Sequence, residues 1–302
     1  MRFWRTGLWA LLFASLGMVS QVSAQSQQEY PSTAGKTVLI TGSTDGMGRE
    51  VAIRIGALGA HVIVHGRNEH RGMEVVDAIN ASAGSAEFQA ADFGNLDNVR
   101  DLADRVKAQH EQLHLLINNA GIGWGFADGQ RTESEDGYEM IFQINYLAHY
   151  LLTDLLLPVI RDSAPARIIN VASGAQTPVN FDDIHLEQDF SGYTAYAQSK
   201  LAQVLHTFHL DDDLAGDGIS FNTLHPATMM DTTMVEEIGS PAQSTIDEGA
   251  SALMYLAVSP EMEGRSGMYF NGTEPVRANE QAYDAEARAR LDRMSREMTG
   301  LD

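Results

Sequence analysis

The chain of 302 residues contains no cysteine. That excludes disulfides, thiolate metal centres and cysteine nucleophiles together. It also suits an oxidising compartment, where stray thiols are a liability. Positive charge is scarce: 20 Lys and Arg stand against 41 Asp and Glu, a formal net charge of −21. Such a surface repels phosphate backbones and acidic lipid headgroups, so neither nucleic acid nor an anionic membrane is an expected partner. Lysine occurs three times, as Lys36, Lys107 and Lys200. Internal repeats, low-complexity tracts and internal linkers are missing as well. The ten histidines show no metal-ligand spacing with carboxylates, and Asp211-Asp212-Asp213 reads as a solvated helix end, so no metal site is expected.

What is present is ordinary for a globular protein: 44% hydrophobic and 8% aromatic residues. A chain of this length needs no staple to hold a core. Residues 1–24 read as a secretory signal peptide. Arg2 and Arg5 make a positive start, residues 7–19 are apolar and uncharged, and Val22-Ser23-Ala24 is a small-residue cleavage site. The apolar run falls short of the roughly 20 residues of a membrane span. The leading expectation is therefore export to a periplasm or the exterior, with a membrane anchor as the alternative. Residues 25–35 form a polar tether, and residues 36–302 the folded domain.

From Lys36 onward, β-rich runs alternate with segments of helical spacing. The runs lie near 37–41, 61–65, 88–90, 113–117, 167–171, 219–224 and 267–270. The helical segments lie near 47–58, 69–83, 96–110, 138–160, 193–214, 246–258 and 281–298. This alternation predicts an α/β fold, a single doubly wound Rossmann domain. Its seven-stranded, mostly parallel sheet carries helices on both faces.

Between the first run and the first helix lies Thr41-Gly42-Ser43-Thr44-Asp45-Gly46-Met47-Gly48. Glycines there let the backbone approach a pyrophosphate, which the helix amino terminus then receives. The second strand ends in Gly66-Arg67-Asn68, where an NAD enzyme usually carries an acid. Arginine has the charge and fork geometry for a 2′-phosphate, so the reading is NADP. Asp92-Phe93 follows the third strand, where adenine would lie, and Asn118-Asn119-Ala120-Gly121 follows the fourth. Successive strand ends of this kind line one crevice.

Tyr196 and Lys200 are four apart on a helix and share a face. A nearby ammonium favours the phenolate, which fits Tyr196 for general acid–base work near neutral pH. Ser173 follows the fifth strand, and Asn145 sits within the long helix. With these residues in this order, the chain resembles the short-chain dehydrogenase/reductase family from about Lys36 to its end. Residues 136–139 and 145–153, the gap from Ser173 to Tyr196 and the last residues are most similar to the retinol dehydrogenase and WW-domain oxidoreductase group. The resemblance implies that Tyr196 moves a proton to or from the substrate oxygen. Lys200 lowers the phenol's pKa and binds the nicotinamide ribose, Ser173 hydrogen-bonds the reacting oxygen, and Asn145 holds a water linking Lys200 to solvent. It implies hydride exchange between NADP(H) and an alcohol or carbonyl, and commonly dimers or tetramers formed through the helix near 193–214.

The chain departs from the family pattern after the sixth strand. His225-Pro226-Ala227 stands where Pro-Gly is usual, and Asp231 where a threonine meets the nicotinamide carboxamide. Pro226 and the next threonine, Thr232, are the nearest candidates. An exported NADP enzyme would also lack an obvious cofactor supply. Trp124 and Phe126 could flank the pocket, and Met229, Met230 and Met234 lie where a lid would sit, which suggests a lipophilic substrate. The rival class is a noncatalytic NADP-binding or redox-sensing module of the same fold. Retention of Asn145, Ser173, Tyr196 and Lys200 together argues against it.

Overall fold

The computed structural model describes residues 30–301. The expected leader and residues 25–29 of the tether lie outside that range. Eight strands form one sheet in the order β3-β2-β1-β4-β5-β6-β7-β8. They are β1 (Thr37–Ile40), β2 (His61–Gly66), β3 (Ser85–Ala90), β4 (Leu115–Asn118), β5 (Ala166–Val171), β6 (Ile219–His225), β7 (Met268–Asn271) and β8 (Glu274–Val276). All neighbours pair in parallel except β7 and β8. Seven strands were expected. The eighth is a three-residue antiparallel return, wholly exposed and centred on Pro275, which accounts for its lack of a strand pattern.

The principal helices are α1 (Gly46–Ala57), α2 (Glu69–Asn80), α3 (Leu96–Gln109), α4 (Met140–Phe142), α5 (Ala148–Asp162), α6 (Gly192–Asp213), α7 (Thr233–Glu237), α8 (Ile246–Val258) and α9 (Ala285–Thr299). Their starts follow from local chemistry. Asp45 accepts from Gly46 N–H at the start of α1, Asn68 from Arg71 N–H at α2, and Thr245 with Glu248 makes a capping box at α8. No helix among the described residues is long and apolar enough to cross a membrane.

Side chains alternate across each strand, so the sheet buries two layers. Val38, Ile40, Val62 and Val64 face Val51, Ile55, Val75, Ile79 and the apolar side of α8. Leu39, Ile63, Leu116, Ile168 and Phe221 face α3 and α5. The end of the expected tether is packed down: Thr33 N–H and Ser32 Oγ both donate to Leu58 O, and Tyr30 lies against the first layer. Helix α9 packs on α6, and Tyr146 Oη meets Ser295 Oγ at 2.8 Å beneath it. The face of α6 that meets α9 is therefore covered within the chain. The strand order reverses between β1 and β4, and a sheet of this kind receives ligands at the carboxyl ends beside that point.

Candidate active site

The crevice starts at the glycine loop. Gly42 and Gly46 have φ of +64° and +51°, which disfavour any side chain. A Cβ on Gly42 would lie 2.7 Å from Ala120 Cα, and one on Gly48 would run into Gly42 O and Asn119 Nδ2. The polar groups around the loop hold its shape. Thr41 Oγ1 accepts from the backbone N–H of Asn119 and Ala120 at 2.8 and 3.0 Å. Asn119 Nδ2 returns bonds to the carbonyls of Thr41 and Gly42. Ser43 is fully buried, donating to Ile40 O and accepting from His65 N–H. Met47 is a core side chain of the first layer. Thr44 covers Gly66, where a Cβ would meet Thr44 Cγ2 at 2.6 Å. Thr41, Ser43, Met47 and Asn119, expected as cofactor contacts, therefore shape the cradle, because their side chains are already committed.

At the end of β2, Arg67 is exposed and makes no hydrogen bond or ion pair among the described residues. Asn68 spends its side chain as the cap of α2. Arg71, one turn on, pairs with Asp45 Oδ2 at 3.0 Å and was not anticipated. Its spacing of four from Arg67 was the available signal. Asp92 is exposed and accepts from Gly94 N–H. The Phe93 ring is buried, stacked on His65 at 4.6 Å and edge-on to His149 at 5.4 Å, so only its backbone faces the crevice position expected for adenine.

The proton-transfer residues do converge. A π-helical turn, Gln143–Leu147, joins α4 to α5 and carries Asn145. Such widened turns occur often at functional sites. Asn145 Oδ1 accepts from Ile122 N–H at 2.9 Å, while Nδ2 donates to Ile122 O and Ser199 Oγ, both at 3.1 Å. Its side chain thus pins the loop after β4 to α6, beside Lys200. A Cβ on Gly121 would sit 3.1 Å from Asn145 Oδ1 and 3.6 Å from Lys200 Nζ, so this glycine keeps space over both.

Lys200 is buried, donating to Val171 O at 2.9 Å and Gln203 Oε1 at 3.0 Å. Its Nζ stands 5.7 Å from the centroid of the Tyr196 ring. Burial pushes the ammonium down to about 7. Burial likewise pushes the Tyr196 phenol up, against the pull of a hydrogen bond with Ser173. The expected lowering of the phenol by Lys200 is not seen in this state, because the dry interior favours the neutral form of both groups. Ser173 is fixed through its carbonyl, which accepts from Tyr269 Oη and Gln176 Nε2, both at 2.9 Å.

Three buried residues that sequence reasoning missed tie the two halves together. His149 Nε2 lies 3.0 Å from Thr41 Oγ1, its Nδ1 is 2.9 Å from Asn145 O, and Gln203 Nε2 lies 3.5 Å from Nδ1. Gln203 in turn accepts from Lys200. His65, under the glycine loop, accepts from Gly42 N–H at 3.1 Å. His149 stood inside the quoted motif of residues 145–153, so its position was visible even though its partners were not.

The wall around the phenol is apolar. Tyr196 clusters with Ile141, Leu186 and Ala195, and with Ile122, Trp124, Ala175, Phe190 and Met234 at the margin. Trp124 stands edge-on to Tyr196 at 5.2 Å. Of the expected lid methionines, Met234 reaches this wall, and a Cβ on Gly123 would meet its Cγ at 2.8 Å. Met230 instead packs on the first core layer. Phe126 opens a 3-10 turn outside the cluster. Pro226 is buried after β6. Thr232 lies beside the glycine loop: its Cγ2 is 3.4 Å from a Cβ built on Gly46.

This fold and this convergence define a nucleotide-dependent oxidoreductase scaffold, and the chain belongs to the short chain dehydrogenase family, whose profile matches residues 36–243. It is 34% identical over 294 residues to a polyprenol dehydrogenase of Danio rerio, covering 90% of this chain and 89% of that one. It is also 34% identical over 297 residues to human retinol dehydrogenase 14, covering 88% and 87%. The Pseudomonas aeruginosa RhlG/NADP active-site complex superposes with a TM-score of 0.66 at 25% identity, covering 80% of this chain and 96% of that one.

Proposed function

We propose that this protein exchanges a hydride between NADP(H) and a lipophilic alcohol or its carbonyl partner. The observation that carries the reading is Tyr196, whose phenol is held beside Ser173 against an apolar wall. The glycine cradle fits a dinucleotide: Gly42 and Gly48 let the loop pack closely against Ala120 and Asn119, and Gly46 and Gly121 keep side chains off the crevice. Arg67 is the uncommitted guanidinium beside it and suits a 2′-phosphate. Thr44, Asp45, Ala120, Pro226 and Thr232 border the same crevice. The nicotinamide ring supplies the hydride or accepts it.

The chain's own residues handle the proton. In carbonyl reduction, the Tyr196 phenol gives its proton to the substrate oxygen, and in alcohol oxidation the phenolate takes it back. Ser173 Oγ supports that oxygen with a second hydrogen bond. Lys200, already bonded to Val171 and Gln203, keeps one donor for a ribose hydroxyl or a water. The wall of Ile122, Trp124, Leu186, Phe190 and Met234 excludes water and selects apolar substrates. Relatives named for polyprenol and retinol support that substrate class.

The test measures NADPH oxidation with a panel of long-chain aldehydes, and NADP+ reduction with the matching alcohols. Tyr196→Phe should lower turnover by about 10²–10⁴-fold, the usual worth of a positioned acid–base group. Its NADPH affinity should stay within about twofold, since a buried hydroxyl is the only group removed. A Tyr196→Phe enzyme as fast as the parent would refute the assignment of the proton donor. A parent that binds NADPH but turns over no carbonyl would favour the noncatalytic module.

A further inference from the structure

The end of the sheet opposite the crevice gathers a second set of polar side chains. His61 opens β2, Glu87 lies in β3, and His110 caps the carboxyl end of α3. Glu87 pairs in register with Ile63, two residues on from His61, so His61 and Glu87 project from the same face of the sheet. The last turn of α3 brings His110 onto that face. His110 Nε2 stands 3.1 Å from Glu87 Oε1, and His61 Nε2 stands 3.9 Å from Glu87 Oε2. The two imidazole rings are 5.2 Å apart. One ligand-type atom from each residue lies within 4.8 Å of the others, the only such group of three among the described residues.

The hydrogen bonds within this group are incomplete in an informative way. His61 Nδ1 is engaged with Ser85 Oγ at 2.9 Å. His61 Nε2 is sealed from solvent and has no hydrogen-bond partner. With Nδ1–H donating to Ser85, Nε2 presents a lone pair to a carboxylate that also offers lone pairs. The nearest group to His61 Nε2 is the Glu87 carboxylate, which offers it no proton. His110 Nε2–H donates to one carboxylate oxygen, while His61 Nε2 faces the other with no donor between them. A cation that replaced the His110 proton would satisfy all three groups. The carboxyl end of α3 adds the negative end of its dipole nearby.

We propose that His61, Glu87 and His110 form a divalent transition-metal site, with Zn2+ its best-matched ion, which clamps edge strand β3 to β2 and to the end of α3. Two imidazole nitrogens and one carboxylate suit borderline ions such as Zn2+, whereas Ca2+ and Mg2+ prefer all-oxygen sets. Ligand atoms of a tetrahedral Zn2+ stand about 3.4 Å apart for bonds of about 2.1 Å. The present spacings are 3.1 Å from His110 Nε2 to Oε1 and 3.9 Å from His61 Nε2 to Oε2, with one ligand atom from each residue within 4.8 Å of the others, so binding an ion would draw the group slightly together. The Nδ1–Ser85 bond orients the His61 ring as an outer partner of a metal ligand does. Binding displaces the proton on His110 Nε2 to solvent, and a water takes the fourth position. The ion would stiffen the nucleotide half of the sheet and shield an edge strand.

The test uses the full chain without an affinity tag, stripped with EDTA and returned to metal-free buffer. Zn2+ is titrated by calorimetry, and Tm is compared in Zn2+ and in EDTA for the parent, Glu87→Gln and His110→Gln. The expected result is one Zn2+ more per parent chain than per variant, a Tm that rises with Zn2+ in the parent alone, and no competition from excess Mg2+. Each protein's own Tm in EDTA is its reference, so a variant that is less stable still reports. NADPH affinity measured in parallel checks the fold and should differ little among the three proteins. Equal Zn2+ uptake by parent and variants, or none by any, overturns the proposal. Mg2+ displacing Zn2+ at equal concentration overturns the choice of ion.

Discussion

Two regions share the carboxyl edge of the sheet and are built on opposite principles. The glycine loop between β1 and α1 is a shape: backbone and short side chains, with Thr41, Ser43 and Asn119 bonded internally. The phenol side, between β5 and α6, is a set of buried titratable groups, Tyr196, Lys200 and the neighbouring His149. In the first region volume matters and charge is peripheral. In the second, protonation matters and the geometry has other supports. His149 joins them, touching Thr41 on one side and the Asn145 carbonyl on the other. Burial pushes it down to about 3, so it acts as a neutral spacer rather than a proton donor.

The sharpest way to break the contrast is to ask whether Lys200 governs pH dependence. Its pKa in the folded chain is pushed to about 7 from an ordinary 10.5, while the unfolded chain keeps the ordinary value. Between those two pH values the unfolded chain binds the extra proton, so stability rises as pH climbs from about 7 towards 10.5. Below 7 the buried ammonium is charged in both states and its full penalty stands. Lys200→Met should remove this slope, a difference on the order of 4–5 kcal/mol over the window. Urea unfolding of both proteins at several pH values measures it. Parallel curves would mean that Lys200 is solvated in the folded chain and that the phenol side is not dry.

Gly48→Ala probes the other region. The added methyl collides with Gly42 O and with the amide of Asn119, so the backbone must shift. Overpacking of this kind costs typically about 1–3 kcal/mol. The loss should fall on NADPH affinity and stability together, with the pH dependence of turnover unchanged. Calorimetric titration with NADPH checks it. Unaltered affinity would show that the cradle is softer than its hydrogen bonds imply.

Arg67→Ala removes charge from the region of shape. A charge-assisted hydrogen bond is worth about 1.5–3 kcal/mol, so NADPH should bind roughly ten- to a hundredfold more weakly. NADH should be nearly unaffected, because its ribose carries no phosphate there. Equal weakening for both nucleotides would return Arg67 to the role of an ordinary surface residue, and would direct attention to Arg71, already paired with Asp45.

The contrast also explains what could be read from the sequence. Alternating apolar runs and helical spacing made seven strands and the long helices visible. β8 was not, because three exposed residues around a proline carry no pattern. The glycine loop and the Tyr196–Lys200 pair were visible because each lies within one short segment. The direction of the Lys200 shift was not, since burial depends on Gly121, Val171 and Gln203, which come together only on folding. The π-helical turn at Asn145 left no trace, for widening a turn needs no particular residue. The burial of the Phe93 ring was not legible, because its stacking partners His65 and His149 come from other elements. His61, Glu87 and His110 lie on three elements, and linear spacing could not join them.

The smallest expected effect tests whether geometry on the phenol side really has spare support. Tyr269 Oη donates to the Ser173 carbonyl at 2.9 Å, and Gln176 Nε2 donates to the same oxygen. Burial pushes the Tyr269 phenol up to about 12, so it stays protonated and keeps donating this bond across the neutral range. Tyr269→Phe keeps the ring and deletes one of two bonds, at a cost of about 0.5–1.5 kcal/mol. If the second bond holds Ser173, kcat should fall no more than about tenfold, with KM and the pH profile unchanged. A loss comparable to that of Tyr196→Phe would mean that Ser173 depends on Tyr269 alone. The line between a region of shape and a region of protonation would then have to be redrawn, with β7 counted as part of the first.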